Sequence, residues 1–312
     1  MKLNLSTSMK SGNVADGRNL VKRLADLGVD GLELEYRIRP EALPGIRQGL
    51  LETGLGVSSV HNYFPVPDVH PPRGGSGDFF NMASLDPEEC REAVKWATRS
   101  IEQAAAFGAR AMVVHAGRVD MNAAIPEIKA AYRENRMEDE PVRHLIKAKT
   151  AELAFRKPAH FDRLLHSLDK LLRVAEHHQV RVGLENRYHY HELPGIDDFT
   201  GIFSRFSGAP IGFWYDTGHD NALTLLGFHP AGTLLDQNAD HLVGMHIHDA
   251  NGLNDHLPPG TGEIDFTPIL SRLNPETLCV FELLPGTDDA AAARGIETFR
   301  RRLSEFDQNK KP

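Results

Sequence analysis

The stretch VGLE (182–185) decides the fold together with five similar runs, each of which ends in a histidine or a carboxylate. The others are VSSVH (57–61), AMVVH (111–115), IGFWYD (211–216), VGMH (243–246) and CVFE (279–282). All have the length of β-strands and are rich in Val, Ile, Leu and Phe, as strands covered on both faces are. A soluble core has no other evident reason to end each strand in an ionisable group. The pattern therefore predicts a barrel with a metal site at its mouth.

Helical segments alternate with these strands along the whole chain. Two further strands are predicted at 3–6 and 31–36, and helices at 19–28, 40–54, 90–108, 197–206 and 289–305. Residues 141–178 are expected to form two helical pieces that are broken near Pro158. Alternation of this kind implies parallel strands. Because the chemistry is spread over most strand ends, a single α/β domain, a (β/α)8 TIM barrel over residues 1–312, is favoured over an open sheet.

Two connections at the carboxyl-terminal face of this barrel are unusually long, residues 64–86 and 118–140. The first is rich in Pro and Gly and is a candidate lid. The second ends in RENRMEDE (133–140), which is expected to be a solvated helix face. Histidines inside predicted helices, such as His160, are expected at the surface.

The bulk composition excludes several classes of partner. The chain has 312 residues and a net charge of −8, which argues against nucleic acid. Two distant cysteines, Cys90 and Cys279, make no disulfide framework and indicate a cytoplasmic protein. No apolar stretch suits a signal peptide or a membrane span. A small-molecule substrate is the expected partner, and a homo-oligomer is left open.

Eight residues are candidate metal ligands, because imidazole and carboxylate groups together suit Zn, Mn, Fe or Co. A core quartet comes from four successive strands, whose ends would form one arc at the mouth: Glu185, Asp216, His246 and Glu282. His61 and His115 would join Glu185 in a second set. His219 and His256, with Asp255, would clasp a third ion. One to three divalent ions per chain are therefore expected.

Other interpretations of these residues exist. The quartet can be an internal network of paired carboxylates and histidines, although no Lys or Arg lies beside these carboxylates in sequence to balance their charge. His219 and His256 can instead contact substrate or act as acid/base groups. Trp214 shares a strand face with Asp216 and is expected to pack below the metals. Four residues are assigned to substrate contacts: Glu35, Arg187, His248 and Asp255.

Five motifs carry a resemblance to a known family: VGLEN (182–186), YDTGH (215–219), MHIHD (245–249), DHLPPGTGEIDF (255–266) and FELLP (281–285). On these motifs the chain resembles the xylose isomerase-like TIM barrel superfamily, which includes sugar phosphate isomerases and epimerases and the endonuclease IV-like proteins of AP endonuclease family 2. The resemblance implies that fold over nearly the whole length. It also implies one or two metals on the quartet for an epimerase. For an endonuclease IV-like protein it implies three metals on all eight ligands. That group has an Asp two residues before the equivalent of His256, where this chain has Asn254.

Two enzymatic functions follow. The favoured one is a multinuclear metal-dependent phosphoester hydrolase of a small molecule, with Glu185, Glu282 and His256 as catalytic residues. The resemblance supports a substrate that is not nucleic acid, since members act on phosphodiesters such as the nucleotide loop of corrinoids. The alternative is a sugar or sugar-phosphate isomerase or epimerase that uses Glu185 and Glu282 as an acid/base pair. A non-catalytic binding protein is disfavoured by the complete ligand set.

Overall fold

Eight parallel strands close into a barrel in which each strand pairs with the next along the chain and the last pairs with the first. The computed structural model describes residues 1–13, 16–69 and 74–309. Its barrel strands are β1 (Leu3–Ser6), β2 (Gly31–Leu34), β3 (Gly56–His61), β4 (Ala111–Val114), β5 (Arg181–Glu185), β6 (Ile211–Asp216), β7 (Leu242–Ile247) and β10 (Leu278–Phe281). Between the last two lies an antiparallel hairpin of β8 (Asp249–Asn251) and β9 (Asn254–Leu257). The predicted TIM barrel is confirmed, whereas the hairpin was not predicted.

Helices follow the strands and cover the outside of the barrel. They are α1 (Gly17–Ala25), α2 (Leu43–Thr53), α3 (Pro87–Ala106), α4 (Ile125–Arg133), α5 (Glu140–His178), α6 (Asp198–Arg205), α7 (Thr217–Leu225), α8 (Thr233–Asn238), α9 (Thr267–Arg272) and α10 (Asp289–Asn309). Each helix expected from the sequence is present, with shifted ends. None of the helices in the described ranges is both long and apolar enough to cross a bilayer.

The predicted break near Pro158 is wrong, because α5 runs through this residue as one helix of 39 residues. A proline inside a helix removes only one backbone donor and bends the helix more readily than it ends it. Contacts with the rest of the protein stabilise α5 both before and after Pro158. The Lys157 Nζ atom lies 2.7 Å from Asp198 Oδ1, and the following turns bury Leu164, Leu168 and Leu171.

The barrel interior is filled from β6 by the fully buried Trp214. Glycines on the two neighbouring strands make room for the indole. A Cβ atom at Gly183 would lie 2.8 Å from Trp214 Cε3, and one at Gly244 would overlap the same ring. The Trp214 and His246 rings lie 5.2 Å apart. The indole therefore forms the apolar floor beneath the strand ends, as expected.

The long connections differ in part from their predictions. Residues 70–73 of the candidate lid lie outside the described residues, while Phe79 and Phe80 in the same connection are buried. The stretch 133–140 is mostly exposed, but it forms the turn between α4 and α5 rather than a helix face. His160 is buried, not at the surface, because its Nδ1 lies 2.7 Å from the Ala83 carbonyl of the connection.

Replacing Gly244 by alanine tests how tightly Trp214 fills the interior. The added methyl group would overlap a ring that cannot move without displacing its neighbours. We therefore expect the free energy of unfolding to fall by about 1–3 kcal/mol, measured by denaturant titration.

The matched control is Gly201→Ala in the exposed part of α6, where an added Cβ meets no atom within 4 Å. Alanine is the better helix former, so this variant should keep or slightly raise the stability. Equal stability of the two variants would contradict the packing argument.

Candidate active site

Glu185, at the end of β5, lies at the centre of the cluster formed by the strand ends, and its carboxylate is fully buried. Its Oε2 lies 2.8 Å from His115 Nε2 and 3.3 Å from His61 Nε2. Its Oε1 lies 2.8 Å from His246 Nδ1. Parallel strands that end at one face bring these groups together although they are far apart in sequence. The set His61, His115 and Glu185 predicted from the sequence is therefore assembled.

The predicted quartet is also assembled, around His246. Besides Glu185, the His246 Nδ1 atom lies 3.0 Å from Glu282 Oε2 and 3.8 Å from Asp216 Oδ2. One donor atom from each of the four residues lies within 4.8 Å of the others. The arc of strand ends expected from the sequence is thus a compact group of three carboxylates and one imidazole.

A third group joins Asp216 to His219 of α7 and His256 of β9. Asp216 caps α7 by accepting a hydrogen bond of 2.7 Å from the His219 backbone N–H. The cap places His219 Nδ1 3.6 Å from Asp216 Oδ1. His256 lies on β9 with a φ of 57°, and its Nε2 lies 3.5 Å from Glu282 Oε2. Donor atoms of Asp216, His219 and His256 again lie within 4.8 Å of one another.

Charge in this cluster is balanced by histidines. Burial would raise the pKa of Glu185, but His246 and His115 outweigh it and hold that pKa well below its usual range. Burial likewise opposes ionisation of Glu282, whose pKa is lowered by His246 and His256. In return, Glu282, Glu33 and Glu185 raise the pKa of His246 against its burial. The histidines therefore stabilise the ionised forms of Glu185 and Glu282, and the carboxylates in turn stabilise the protonated form of His246.

The donor set fits a divalent metal ion. Among the described residues, no Lys or Arg lies within 4.0 Å of the carboxylates of Glu185, Asp216 or Glu282. Buried carboxylates need a positive partner; histidines with a raised pKa supply it to Glu185 and Glu282, whereas burial lowers the pKa of His219 beside Asp216. Imidazole nitrogens and carboxylate oxygens are also the ligands that Zn, Mn, Fe and Co accept. A cation could therefore replace the protons.

Two of the residues assigned to substrate contact the candidate ligands instead. The His248 Nε2 atom lies 2.9 Å from Asp216 Oδ2, and its Nδ1 accepts a hydrogen bond from the His256 backbone N–H. The Asp255 Oδ2 atom lies 3.2 Å from His256 Nδ1 and 3.9 Å from His219 Nε2. Both residues therefore fix the orientation of ligands of the third group.

The other two assigned residues lie beside the cluster. Glu35 is buried and accepts hydrogen bonds from Ser11 and from Arg37 Nε. Arg187 is buried too, and its Nη2 lies 2.7 Å from Asp78 Oδ1. Its Nε and Nη1 have no hydrogen-bond partner among the described residues.

Three residues of this region escaped the sequence analysis. Glu33, and not Glu35, reaches the cluster, with its Oε1 at 3.1 Å from His246 Nε2. Both lie on one strand face, so the pattern could not choose between them. Asp78 Oδ2 lies 3.3 Å from His115 Nδ1, and a Cβ atom at Gly77 would lie 2.8 Å from the same nitrogen. No periodic signal marks residues of a loop.

Comparison with known proteins agrees with this architecture. A family profile described as xylose isomerase-like TIM barrel matches residues 21–302. An uncharacterized protein of Sinorhizobium fredii is 26% identical over 247 residues, covering 77% of this chain and 67% of the relative. An uncharacterized protein of Methanocaldococcus jannaschii is 28% identical over 117 residues, which cover 36% of this chain and only 39% of that relative.

Solved structures share the fold over nearly the full length. A D-tagatose 3-epimerase-like protein superposes with a TM-score of 0.70 at 18% identity and covers 99% of both chains. The 3-keto-D-glucoside 4-epimerase of E. coli superposes with a TM-score of 0.67 at 17% identity and covers 97% of this chain and 99% of its own. At such identities the likeness establishes the fold.

Replacing Asp78 by asparagine tests whether its ion pair holds the loop against the cluster. Arg187 is only 4% exposed, and loss of the Asp78 carboxylate leaves its buried charge with the longer ion pair to Glu192 at 3.3 Å. Because Asp78 is itself 38% exposed, we expect a loss of about 1–3 kcal/mol of stability. Hydrogen exchange in residues 74–83 should become faster.

Asp68→Asn provides the matched control, because Asp68 is an exposed residue of the same connection without an ion pair among the described residues. It changes the net charge equally and should leave exchange unchanged. Equal exchange rates in both variants would show that the pair does not hold the loop.

Proposed function

The chain belongs to the xylose isomerase-like TIM barrel family, and we propose that within it the protein is a metal-dependent epimerase or isomerase of a keto sugar. The enzymes named for the solved relatives, a D-tagatose 3-epimerase-like protein and a 3-keto-D-glucoside 4-epimerase, support this choice over a hydrolase. Their names concern those proteins, and the argument for this chain depends on its own site.

The placement of Glu185 and Glu282 carries the proposal. The two carboxylates extend from β5 and β10, which are separated in the barrel by β6 and β7. Both nevertheless reach one imidazole nitrogen, His246 Nδ1, at 2.8 Å and 3.0 Å. Their donor atoms lie within 4.8 Å of each other, so a small molecule beside them would meet two buried carboxyl groups. We infer that these groups act as the base and the acid of a proton transfer on the two faces of one carbon atom.

Bound by Glu185, Asp216, His246 and Glu282, a divalent ion would supply the positive charge that acidifies a C–H bond beside a carbonyl group. In one direction Glu185, as carboxylate, takes the proton from this carbon atom, and the C–H electron pair moves into an enediolate of the sugar. Glu282, whose pKa is lowered by His246 and His256, must first take up a proton; it then returns this proton to the opposite face and ends as carboxylate. Transfer of the proton from Glu185 back to Glu282 through solvent restores the starting protonation states, and the two residues exchange roles in the reverse direction.

The remaining histidines of the cluster would orient the sugar. His61, His115, His219 and His256 are directed into the same space as the two glutamates, and an imidazole can both donate a hydrogen bond to a hydroxyl group and accept one from it. Gly77 brings the loop backbone against His115 and His61, which limits the access of water from that side.

A specific observation keeps a multinuclear phosphoester hydrolase as the second candidate. Two further donor groups are assembled, each of which shares one carboxylate with the quartet: His61, His115 and Glu185, and Asp216, His219 and His256. Clustered ions would suit phosphoryl chemistry. Such an enzyme would need more than one ion per chain, whereas the quartet alone suffices for the epimerase.

Deuterium incorporation tests the proposed proton transfer. The protein, loaded in turn with Mn, Co, Zn and Fe(II), is incubated in heavy water with a panel of ketoses and their phosphates, and NMR detects exchange at the carbon beside the carbonyl group. We expect exchange with at least one sugar. Glu185→Gln and Glu282→Gln should slow it by about 10²- to 10⁴-fold.

Glu176→Gln is the matched control, because Glu176 is exposed and lies near the amino-terminal ends of the strands, beside Arg181 and Ile211. The absence of exchange with every sugar and metal would refute the epimerase. Exchange that survives in both glutamine variants would refute the assigned pair.

Metal content separates the two candidates. For the epimerase, we expect protein purified without chelator to contain about one ion per chain, and we expect His256→Ala to leave this number unchanged. About three ions, falling by one in His256→Ala, together with hydrolysis of a small phosphodiester, would instead establish the hydrolase.

A further inference from the structure

An open pocket of about 450 Å³ adjoins the cluster on the side of α4. His219 and Asp255 form its inner wall and also belong to the third donor group or contact it. The outer wall is formed by Lys129, Arg133 and Tyr188. A substrate that reacts at the glutamates and is longer than a few carbon atoms would extend past His219 into this pocket.

The outer wall offers two positive charges that the protein does not use elsewhere. Lys129 and Arg133 lie one turn apart on α4, and neither has a carboxylate within 4.0 Å among residues 1–13, 16–69 and 74–309. In contrast, Arg136 just beyond the helix pairs with Glu134 and Asp139. Burial lowers the pKa of Lys129, and an anion in the pocket would stabilise its charged form.

Tyr188 holds these charges near the cluster. The Lys129 Nζ atom lies 4.2 Å from the centre of the Tyr188 ring, in cation–π contact. The same ring lies 5.7 Å from that of His219, and its hydroxyl donates a hydrogen bond of 2.6 Å to the Leu253 carbonyl of the hairpin. One aromatic ring therefore links the ammonium group to the inner wall.

The carboxylate of the pocket wall is paired with His256, and its charge also raises the pKa of Lys129 against the larger effect of burial. Asp255 is the acidic residue among those lining the pocket, and its Oδ2 lies 3.2 Å from His256 Nδ1. The rest of the cluster consists of carboxylates and of histidines that are already paired with them, and the nearby Arg187 is paired with Asp78. Lys129 and Arg133 offer an anionic substituent of the substrate a place at the end remote from the glutamates.

We propose that Lys129 and Arg133 bind an anionic group of the substrate, a phosphate ester or a carboxylate, so that the enzyme acts on anionic rather than neutral sugars. Only the identification of the substrate as a sugar rests on the proposed function. The anion subsite itself depends only on the pocket.

Binding of two simple anions tests the subsite without catalysis. Inorganic phosphate and gluconate are titrated into chelator-treated protein, with sorbitol as the neutral probe, and binding is followed by calorimetry. We expect millimolar binding of at least one anion and none of sorbitol. The double variant Lys129→Gln/Arg133→Gln should weaken anion binding at least tenfold, and Lys129→Arg/Arg133→Lys should retain it.

The matched control is Arg163→Gln/Lys170→Gln on the exposed face of α5, which removes the same charge far from the pocket. Binding of phosphate alone or gluconate alone identifies the anionic group. The subsite is refuted if neither anion binds, if the glutamine variant binds as the wild type does, or if the control loses affinity equally.

Kinetics distinguish failure of the subsite from failure of the proposed function. If an anionic sugar exchanges deuterium, the glutamine variant should raise its KM at least tenfold and change kcat much less. Exchange of neutral sugars only, unaffected by the variant, would refute the inference and keep the epimerase. Anion binding that depends on both residues, without exchange of any sugar, would keep the subsite and refute the epimerase.

Discussion

Burial of several carboxylates that have no Lys or Arg within 4.0 Å among the described residues is the constraint on which this structure depends. Glu33, Glu185, Asp216 and Glu282 are at most 4% exposed, and removing such charges from water costs several kcal/mol for each ion unless a positive partner is close. Histidines from strands β3, β7 and β9, from the residue after β4 and from α7 lie beside these carboxylates. Because an imidazole can exchange its proton for a metal ion, the same arrangement that stabilises the fold prepares the site for a cation.

The packing of the barrel interior below the cluster contributes to this constraint. Trp214 fills the space below the cluster, and Gly183 and Gly244 on either side leave room for it. The indole lowers the local dielectric constant and so raises the free-energy cost of an unpaired charge in the cluster above it. The packing of the interior therefore strengthens the need for charge pairing in the cluster. Asp216 connects the cluster to α7, because its carboxylate faces the cluster and also caps this helix, which positions His219.

The sequence predicts those parts of the site that obey a periodic rule. Strand ends can be recognised from apolar runs, and the eight candidate ligands lie at such ends or in the motifs that follow, so their assembly could be predicted. Glu33 could not be separated from Glu35, because both share one strand face and only the close approach of His246 selects between them. The position of Asp78 and the burial of His160 depend on how the connection 64–86 packs against the barrel. A loop of this kind has no sequence periodicity from which its course could be predicted.

The number of bound ions and the reaction are coupled through Glu185. Its Oε1 faces His246 of the quartet, while its Oε2 faces His61 and His115. If ions occupied both groups, each carboxylate oxygen would donate a lone pair to a cation, and Glu185 would be a much weaker base toward a C–H bond. If the quartet alone is occupied, Oε2 stays available and two histidines remain to bind the sugar. The same eight side chains are therefore compatible with phosphoryl chemistry at high metal occupancy and with epimerisation at low occupancy, and the affinity of the His61–His115–Glu185 group decides between them.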